Sequence, residues 1–373
     1  MPRFLHSADW QIGRTYQRFA VEDATFLAEA RLETVERIAR LATERQVDAV
    51  LVAGDVFDAQ TVSDRTVRRL FNSLRGYAGP WVMIPGNHDA ALAASVWTRA
   101  RQMDCIPPNV VLLEQPEARV LEEAGCVILA APLTQRQTHS DLTGWFDEAL
   151  SAEGLLRIGL AHGSVAGILP DAIDSGNPIA PDRARTARLD YLALGDWHGT
   201  RRIDARTWYS GTPEPDRFKD NEPGHVLLVD IAQAGAEPVV ERIQVCGYSW
   251  HEWTHPLDVT SDLDELERRC SCLAAGDVLA LRLSGQVDLQ ARGRIGRLLD
   301  VTRGRVRALE ADLSLLRLLP TDADIAALAA DGYVGEVLAE LRAAASRGEQ
   351  PQQEEVAAEA LNLLAGILME RQP

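Results

Sequence analysis

The sequence predicts an α/β fold across residues 1–248, followed by a smaller α/β unit over 249–318 and a helical segment over 319–373. Three observations carry this. Apolar runs of strand length alternate with longer stretches of helical periodicity. Several runs are apolar at every position, as expected of parallel strands buried on both faces. Each such run ends at once in a glycine or small residue with Asp, Asn or His, the composition expected at the carboxyl edge of an open α/β sheet.

In order along the chain, residues 3–8 form a candidate strand. Residues 22–45 form a long helix, with Phe26, Leu27, Ala30, Val35, Ile38 and Leu41 at helical spacing. Residues 47–53 are apolar apart from Asp48 and form a buried strand, 64–74 are amphipathic, and 81–84 form another short strand. This β-α-β-α-β order implies parallel neighbours with right-handed crossovers. Further strands are expected at 126–130, 157–161, 191–194 and 226–231, with fewer helices between them and hence more antiparallel pairing. Strands at 250–259, 277–284 and 305–313 and helices at 262–274 and 288–301 make up the second unit.

The chain has 373 residues, 46% of them hydrophobic and 25% charged, ordinary values for a globular protein. No stretch approaches the roughly 18 consecutive apolar residues of a membrane span. The opening MPRFLHSAD reaches an aspartate too early for a signal peptide. Five cysteines without framework spacing imply reduced thiols and a cytoplasmic location, and the Cys270–Cys272 pair has no matching pair. The net charge of −17 argues against broad electrostatic wrapping of nucleic acid. It leaves room for a nucleic-acid substrate at a carboxylate-rich site neutralised by divalent ions. Lys219 is the only lysine.

Five strand ends read SADWQIG (7–13), GDVFD (54–58), PGNHD (85–89), AHGS (161–164) and GDWHG (195–199). Any one could be a polar turn, and a lone His162 or His198 is more often structural than ligating. Together, in this order, the series resembles the motifs D-x-H, G-D-x-x-D, G-N-H-[DE], H and G-H-x-H of the calcineurin-like metallophosphoesterases. FLHSADWQIG, VDAVLVAGDVFD, IPGNHD and LDYLALGDWHG most resemble the SbcD/YhaO group of DNA repair nucleases, as does YSWHEWTHPLDV (248–259). The resemblance implies two mixed sheets packed as a sandwich and flanked by helices, a smaller α/β capping domain, and C-terminal helices.

It also implies a dinuclear site in which two divalent ions about 4 Å apart activate water and clamp a phosphate. Asp55 bridges them. The first ion takes Asp9, Gln11, Asp55 and His198; the second takes Asp55, Asn87, His162 and Asp196. Gln11 and Asp196 stand where the family has histidine. Replacing two imidazoles by oxygen donors shifts the preference toward Mn²⁺, then Mg²⁺, and away from Zn²⁺. His88 faces the substrate, as proton donor or stabiliser of transition-state charge. Asp58 or Asp89 orients it.

Other residues are read more weakly. His6, inside the first strand, is structural. Trp10 and Trp197 flank candidate ligands and either stack on bases or pack as lids; Arg14 is a third substrate-binding candidate. GNPIAPDRARTAR (176–188) either touches phosphates or is a solvated loop. YSGTPEPDRF (209–218) is a turn that buttresses the site. Arg292, Arg294, Arg297, Arg303, Arg305 and Arg307 form either a DNA or partner contact or a solvated face. RGEQPQQEE (347–355) reads as a polar linker. Residues 356–369 carry a wide apolar face: Val356, Ala360, Leu361, Leu363, Leu364, Ile367 and Leu368. In the resembling group such helices bind a coiled-coil ATPase of the SbcC type, and no G-x-x-x-x-G-K-[ST] loop occurs here. A homodimer is compatible with the pattern.

The expected activity is Mn²⁺-dependent hydrolysis of DNA phosphodiesters by a repair exo- or endonuclease subunit. A phosphoesterase for small nucleotides and a non-catalytic assembly subunit that keeps the fold are the alternatives.

Overall fold

The computed structural model describes residues 1–168, 176–219, 221–319, 321, 333–345 and 351–370. The chain divides into two compact units, Met1–Ser249 and Trp250–Pro373.

The first unit holds two six-stranded sheets. One is built from β1 (Arg3–Ser7), β2 (Ala49–Ala53), β3 (Trp81–Ile84), β4 (Val110–Leu112), β13 (His225–Asp230) and β14 (Val239–Gln244), in the order β14-β13-β1-β2-β3-β4. The other contains β5 (Glu117–Leu121), β6 (Cys126–Ala131), β7 (Leu156–His162), β10 (Tyr191–Gly195), β11 (Arg201–Arg202) and β12 (Thr207–Tyr209), in the order β11-β12-β10-β7-β6-β5. A two-stranded ladder, β8 (Ser164–Val165) with β9 (Pro178–Ile179), lies apart from both.

Both sheets are parallel at their centres. Antiparallel pairing is confined to β1–β13–β14 in the first and to β5–β6 and β11–β12 in the second. The expected rise in antiparallel pairing is therefore an edge feature, because β6, β7, β10 and β12 all run parallel.

Alternation along the strands builds three layers of core. Leu51 and Ala53 of β2, Ile128 of β6 and Tyr191 of β10 meet between the sheets. Val50 and Val52 face the opposite way, toward α1 (Val21–Glu44), α2 (Asp64–Ser73) and α3 (Val96–Gln102), where Val35, Ile38, Leu70 and Trp97 pack. Leu129 and Leu192 line the outer face of the second sheet with Phe146 and α4 (Arg183–Thr186). Ser63 and Ser95 cap α2 and α3 by accepting from the backbone N–H of Thr66 and Thr98. Small residues lie next to the ligand loops, so the sheets approach closely where the site forms.

In the second unit β15 (Ser249–Leu257), β16 (Asp277–Val287) and β17 (Ala308–Leu318) form one sheet, with β16 and β17 parallel. Leu263 and Leu266 of α5 (Thr260–Ser271) and Ile295 and Leu299 of α6 (Leu289–Arg303) pack on it. At least three of the six clustered arginines have partners within this unit. Arg294 pairs with Asp264 and Glu267, Arg303 pairs with Asp300, and Arg305 donates to the Cys270 carbonyl. Two more helices follow, α7 (Tyr333–Ala345) and α8 (Pro351–Glu370). The linker expected over 347–355 is a helix from Pro351 onward; proline suits the first turn, where no N–H partner is needed. Residues 347–350 and the side chain of Leu368 lie outside the described residues. Leu338 of α7, Leu361 of α8 and Leu289 cluster together, while Val356, Leu363 and Ile367 of α8 are exposed.

Candidate metal centre

Parallel pairing brings the carboxyl ends of β1, β2 and β3 to one edge of the first sheet, and those of β7 and β10 to one edge of the second. The five motifs leave from these ends. Asp9, Gln11, Asp55 and Asp196 all have positive φ, at 54°, 43°, 52° and 102°. Non-glycine residues rarely hold such angles, and they concentrate where a site over-determines the backbone. The first two loops are zipped together: the N–H groups of Asp9, Gln11 and Ile12 donate to the carbonyls of Gly54, Asp55 and Val56 at 3.1, 2.9 and 2.9 Å. Close approach explains two glycines. A Cβ on Gly86 would run into Asp55, and one on Gly195 into the Ala53 carbonyl.

Asp9, Asp55 and His162 are buried, each offering a ligand atom within 4.8 Å of the others. The Nδ1–H of His162 donates to the Ala53 carbonyl at 2.8 Å, which fixes the Nε2 lone pair inward. Nε2 lies 3.6 Å from Asp55 Oδ1 and 3.8 Å from Asp196 Oδ1. The Asn87 amide oxygen sits 2.9 Å from the same Nε2 and also faces the Asp55 carboxylate; only with the amide turned over would its nitrogen donate to them. With the His162 ring neutral and the amide in this orientation, carboxylates, an amide oxygen and an imidazole lone pair converge. That is an arrangement a cation satisfies, and the residues present fit divalent ions of the oxygen-preferring kind.

The electrostatics show a concentration of negative charge, which a proton on His162 or a bound cation neutralises. Burial disfavours charge on His162, yet Asp55, Asp196 and Asp9 push its pKa up to about 9. Burial, together with the Asp55 charge and against the pull of His198 and His162, pushes Asp9 up to about 6. Asp196 is raised chiefly by burial. The Asp196 N–H donates to Asp9 Oδ1 at 3.0 Å, joining the two sheets' loops.

His88 stands at the rim, part-exposed, outside this acceptor cluster. Its Nδ1–H donates to the backbone carbonyl of Asp58 at 2.7 Å, and its Nε2 lies 3.9 Å from Asp55 Oδ2. Asp58 therefore positions His88 through its main chain and not through its carboxylate, which pairs with Arg14 at 3.2 Å. Asp89 does not orient His88 either. Its oxygens accept from the N–H groups of Gly86, Val56 and Phe57, knitting the second and third loops together, and burial followed by the Asp55 charge pushes it up to about 7.

On the other side of the cluster, Gln11 turns its carbonyl oxygen to Arg14 Nη1 at 2.7 Å and its amide nitrogen to His198 Nε2 at 3.2 Å. Asp216 Oδ2 lies 3.2 Å from His198 Nδ1, 3.2 Å from Arg14 Nη2 and 3.0 Å from Arg217 Nη2. Burial works against this carboxylate, but hydrogen bonds from His198 and Arg217 and the charge of Arg31 hold it well below the usual range. The buttressing turn expected over 209–218 thus supplies more than a turn: Asp216, which sequence reasoning missed, is the partner of His198. The one local signal is an acidic residue in a proline-containing turn beyond the last ligand.

Three further residues take defined places. Trp10 is no base-stacking platform: its ring is 1% exposed, packs edge-on against Trp81 at 5.8 Å, and donates its N–H to Ser7. Trp197 is half-buried between the cations of Arg201 and Lys219, 5.6 and 5.5 Å from its ring. In the 176–188 segment, Arg183 is buried and paired with Asp141 and Asp147. His6 is structural as expected: Nε2 faces only the Leu194 carbonyl and so carries the proton, leaving Nδ1 to accept from the Tyr191 hydroxyl at 2.9 Å.

A family model described as calcineurin-like phosphoesterase matches residues 2–198, more than half of the chain. The chain belongs to this family. This phosphoesterase is 30% identical over 283 residues to the SbcD subunit of the SbcCD nuclease of Rhodobacter capsulatus, a match covering 63% of this chain and 68% of that protein. It is 28% identical over 271 residues to the protein of the same name from Bacillus subtilis, covering 62% and 66%. It is 28% identical over 268 residues to the DNA double-strand break repair protein Mre11 of Aeropyrum pernix, covering 66% and 61%. It is a metal-dependent phosphoesterase with a sandwich of two mixed sheets flanked by helices. No helix among the described residues is long and apolar enough to cross a membrane.

Proposed function

We propose that this phosphoesterase hydrolyses DNA phosphodiester bonds with two divalent ions, Mn²⁺ ahead of Mg²⁺ and Zn²⁺. The observation that carries this reading is the convergence of buried metal-ligating side chains, Asp9, Asp55 and His162 with Asn87 and Asp196, with His88 at their rim. Asp55 would serve both ions; Asn87, His162 and Asp196 would hold one, and Asp9 and His198 the other. When bound, the ions supply Lewis-acid activation of the phosphate and of the attacking water.

The protein's own part is positional. His162 is locked in the tautomer that points a lone pair inward, through Ala53. His88, held through Nδ1, keeps Nε2 free to carry a proton to the leaving oxygen. Two of the relatives are named as subunits of a larger nuclease. In keeping with that likeness and with the sequence resemblance, the helices after residue 318 would bind a coiled-coil ATPase partner; the exposed Val356, Leu363 and Ile367 support such a contact. The five free cysteines suit a reducing cytoplasm.

Incubation with linear duplex, single-stranded oligonucleotide and cyclic nucleotide, in Mn²⁺ or chelator, tests the substrate. Mn²⁺-dependent cleavage of either DNA supports the proposal. Cleavage of the cyclic nucleotide alone would move it to small nucleotides, and no cleavage of any diester by the folded protein would leave an assembly role.

A further inference from the structure

We infer that Arg14 gates one of the two ion positions by holding Gln11 as a cap on His198. This rests on the metal-dependent reading above and adds an inequality between the two ions, together with the residue that sets it.

The orientation of the Gln11 amide is determined by its neighbours. Arg14 can only donate, and its Nη1 lies 2.7 Å from Gln11 Oε1. With the amide turned over, an NH₂ group would face a guanidinium. The amide nitrogen is thereby left 3.2 Å from His198 Nε2 and donates to it. His198 Nδ1 faces Asp216 Oδ2 at 3.2 Å and Arg217 Nη2 at 2.8 Å; where Nε2 accepts from Gln11, the ring proton sits on Nδ1 and is directed to Asp216, which also takes Arg217 Nη2 at 3.0 Å. The lone pair that His198 would offer an ion is thus already taken by a protein donor, and the one oxygen Gln11 could offer is taken by Arg14.

Arg14 is itself fixed. Its Nη1 reaches Asp58 and its Nη2 reaches Asp216, both at 3.2 Å. Arg217 adds a second guanidinium beside the His198 ring. On the opposite side no such cap exists. Among the described residues no arginine or lysine pairs with Asp55, Asn87, His162 or Asp196; the side-chain donors within reach there are the His162 ring and the Asn87 amide, both of which can present an acceptor atom instead. The position served by Asn87, His162 and Asp196 is ready to take an ion. At the position served by Asp9 and His198 an ion must first displace a hydrogen bond, and it sits next to positive charge.

Calorimetric titration of the whole chain with Mn²⁺ tests this without any substrate. The wild type is expected to show one tight ion and one weaker by about 10-fold or more, the scale on which partners behind a ligand alter metal affinity. Arg14→Met is expected to tighten the weaker ion several-fold and leave the tight one unchanged. Two ions of equal affinity in the wild type, or an Arg14→Met variant whose weaker ion is unchanged or looser, would overturn the inference while leaving the metal-dependent reading intact. Should Arg14→Met melt at a lower temperature in chelator, Gln11→Ala decides. A cap predicts unchanged or tighter binding of the weaker ion, whereas looser binding would make Gln11 a ligand and refute the gate. Absence of any bound ion would remove the metal-dependent reading and the gate with it.

Discussion

Replacing His88 by alanine separates proton transfer from metal binding. The imidazole makes one hydrogen bond, from Nδ1 to the Asp58 carbonyl, and its side chain is 30% exposed. Its loss should therefore cost only about 1 kcal/mol of fold stability. It lies outside the acceptor cluster, so Mn²⁺ stoichiometry should not change. Removing a general acid typically costs about 10²–10⁴ in rate, or about 2.7–5.4 kcal/mol of transition-state stabilisation. A DNA leaving group is a poorly stabilised alkoxide that needs a proton; a nitrophenolate does not. His88→Ala should thus lose that full factor on an oligonucleotide and far less on a bis-nitrophenyl phosphate, measured as kcat at saturating Mn²⁺. Equal losses on the two substrates would refute proton donation and assign His88 to binding or charge stabilisation. A lost ion would refute its placement outside the ligand set.

Three other outcomes follow from the same geometry. Asp55→Ala should abolish hydrolysis and also remove the rise in melting temperature that Mn²⁺ gives the wild type, while still folding in chelator, since it relieves repulsion on Asp9 and Asp89; full activity would remove the two-ion arrangement. Trp10→Phe should lower stability by on the order of 1–3 kcal/mol through a residual cavity and a lost hydrogen bond, with DNA affinity unchanged; weakened DNA binding at full stability would restore the stacking role. His6 is buried and its pKa is lowered by that burial to about 3, against 6.5 in the unfolded chain, so the unfolded state binds the extra proton and stability falls as pH drops below 6.5. His6→Gln should flatten that loss by about 2 kcal/mol at pH 5 in urea titrations, and parallel pH–stability curves for the two proteins would contradict it.

The centre of the fold was legible because parallel strands buried on both faces leave an unbroken apolar signature and deliver their polar residues at one edge. Cys126, Ile128 and Ala130 alternate with Val127 and Leu129 between two cores, so every position must be apolar. The edge strands β4 and β11 and the neighbouring β12 have two or three residues each and leave no periodicity to read. At the site, the ligand types were legible but the side-chain directions were not. Asp9 and Gln11 both take left-handed backbone conformations, which turn the intervening Trp10 into the core, whereas an extended reading places it beside the crevice. The capture of Asp58 and Gln11 by Arg14 and the support of His198 by Asp216 depend on tertiary contacts up to 202 residues apart, Arg14 to Asp216, which no local pattern encodes.

Diffraction from crystals soaked in Mn²⁺, with data collected at the manganese absorption edge, tests the metal centre most directly. A strong anomalous peak is expected among Asp55 Oδ1, Asn87 Oδ1, His162 Nε2 and Asp196 Oδ1, with a weaker one beside Asp9 and no peak bonded to His88. A map with no anomalous density between Asp55, Asn87 and His162 would contradict the reading of these converging acceptors as a divalent-ion site.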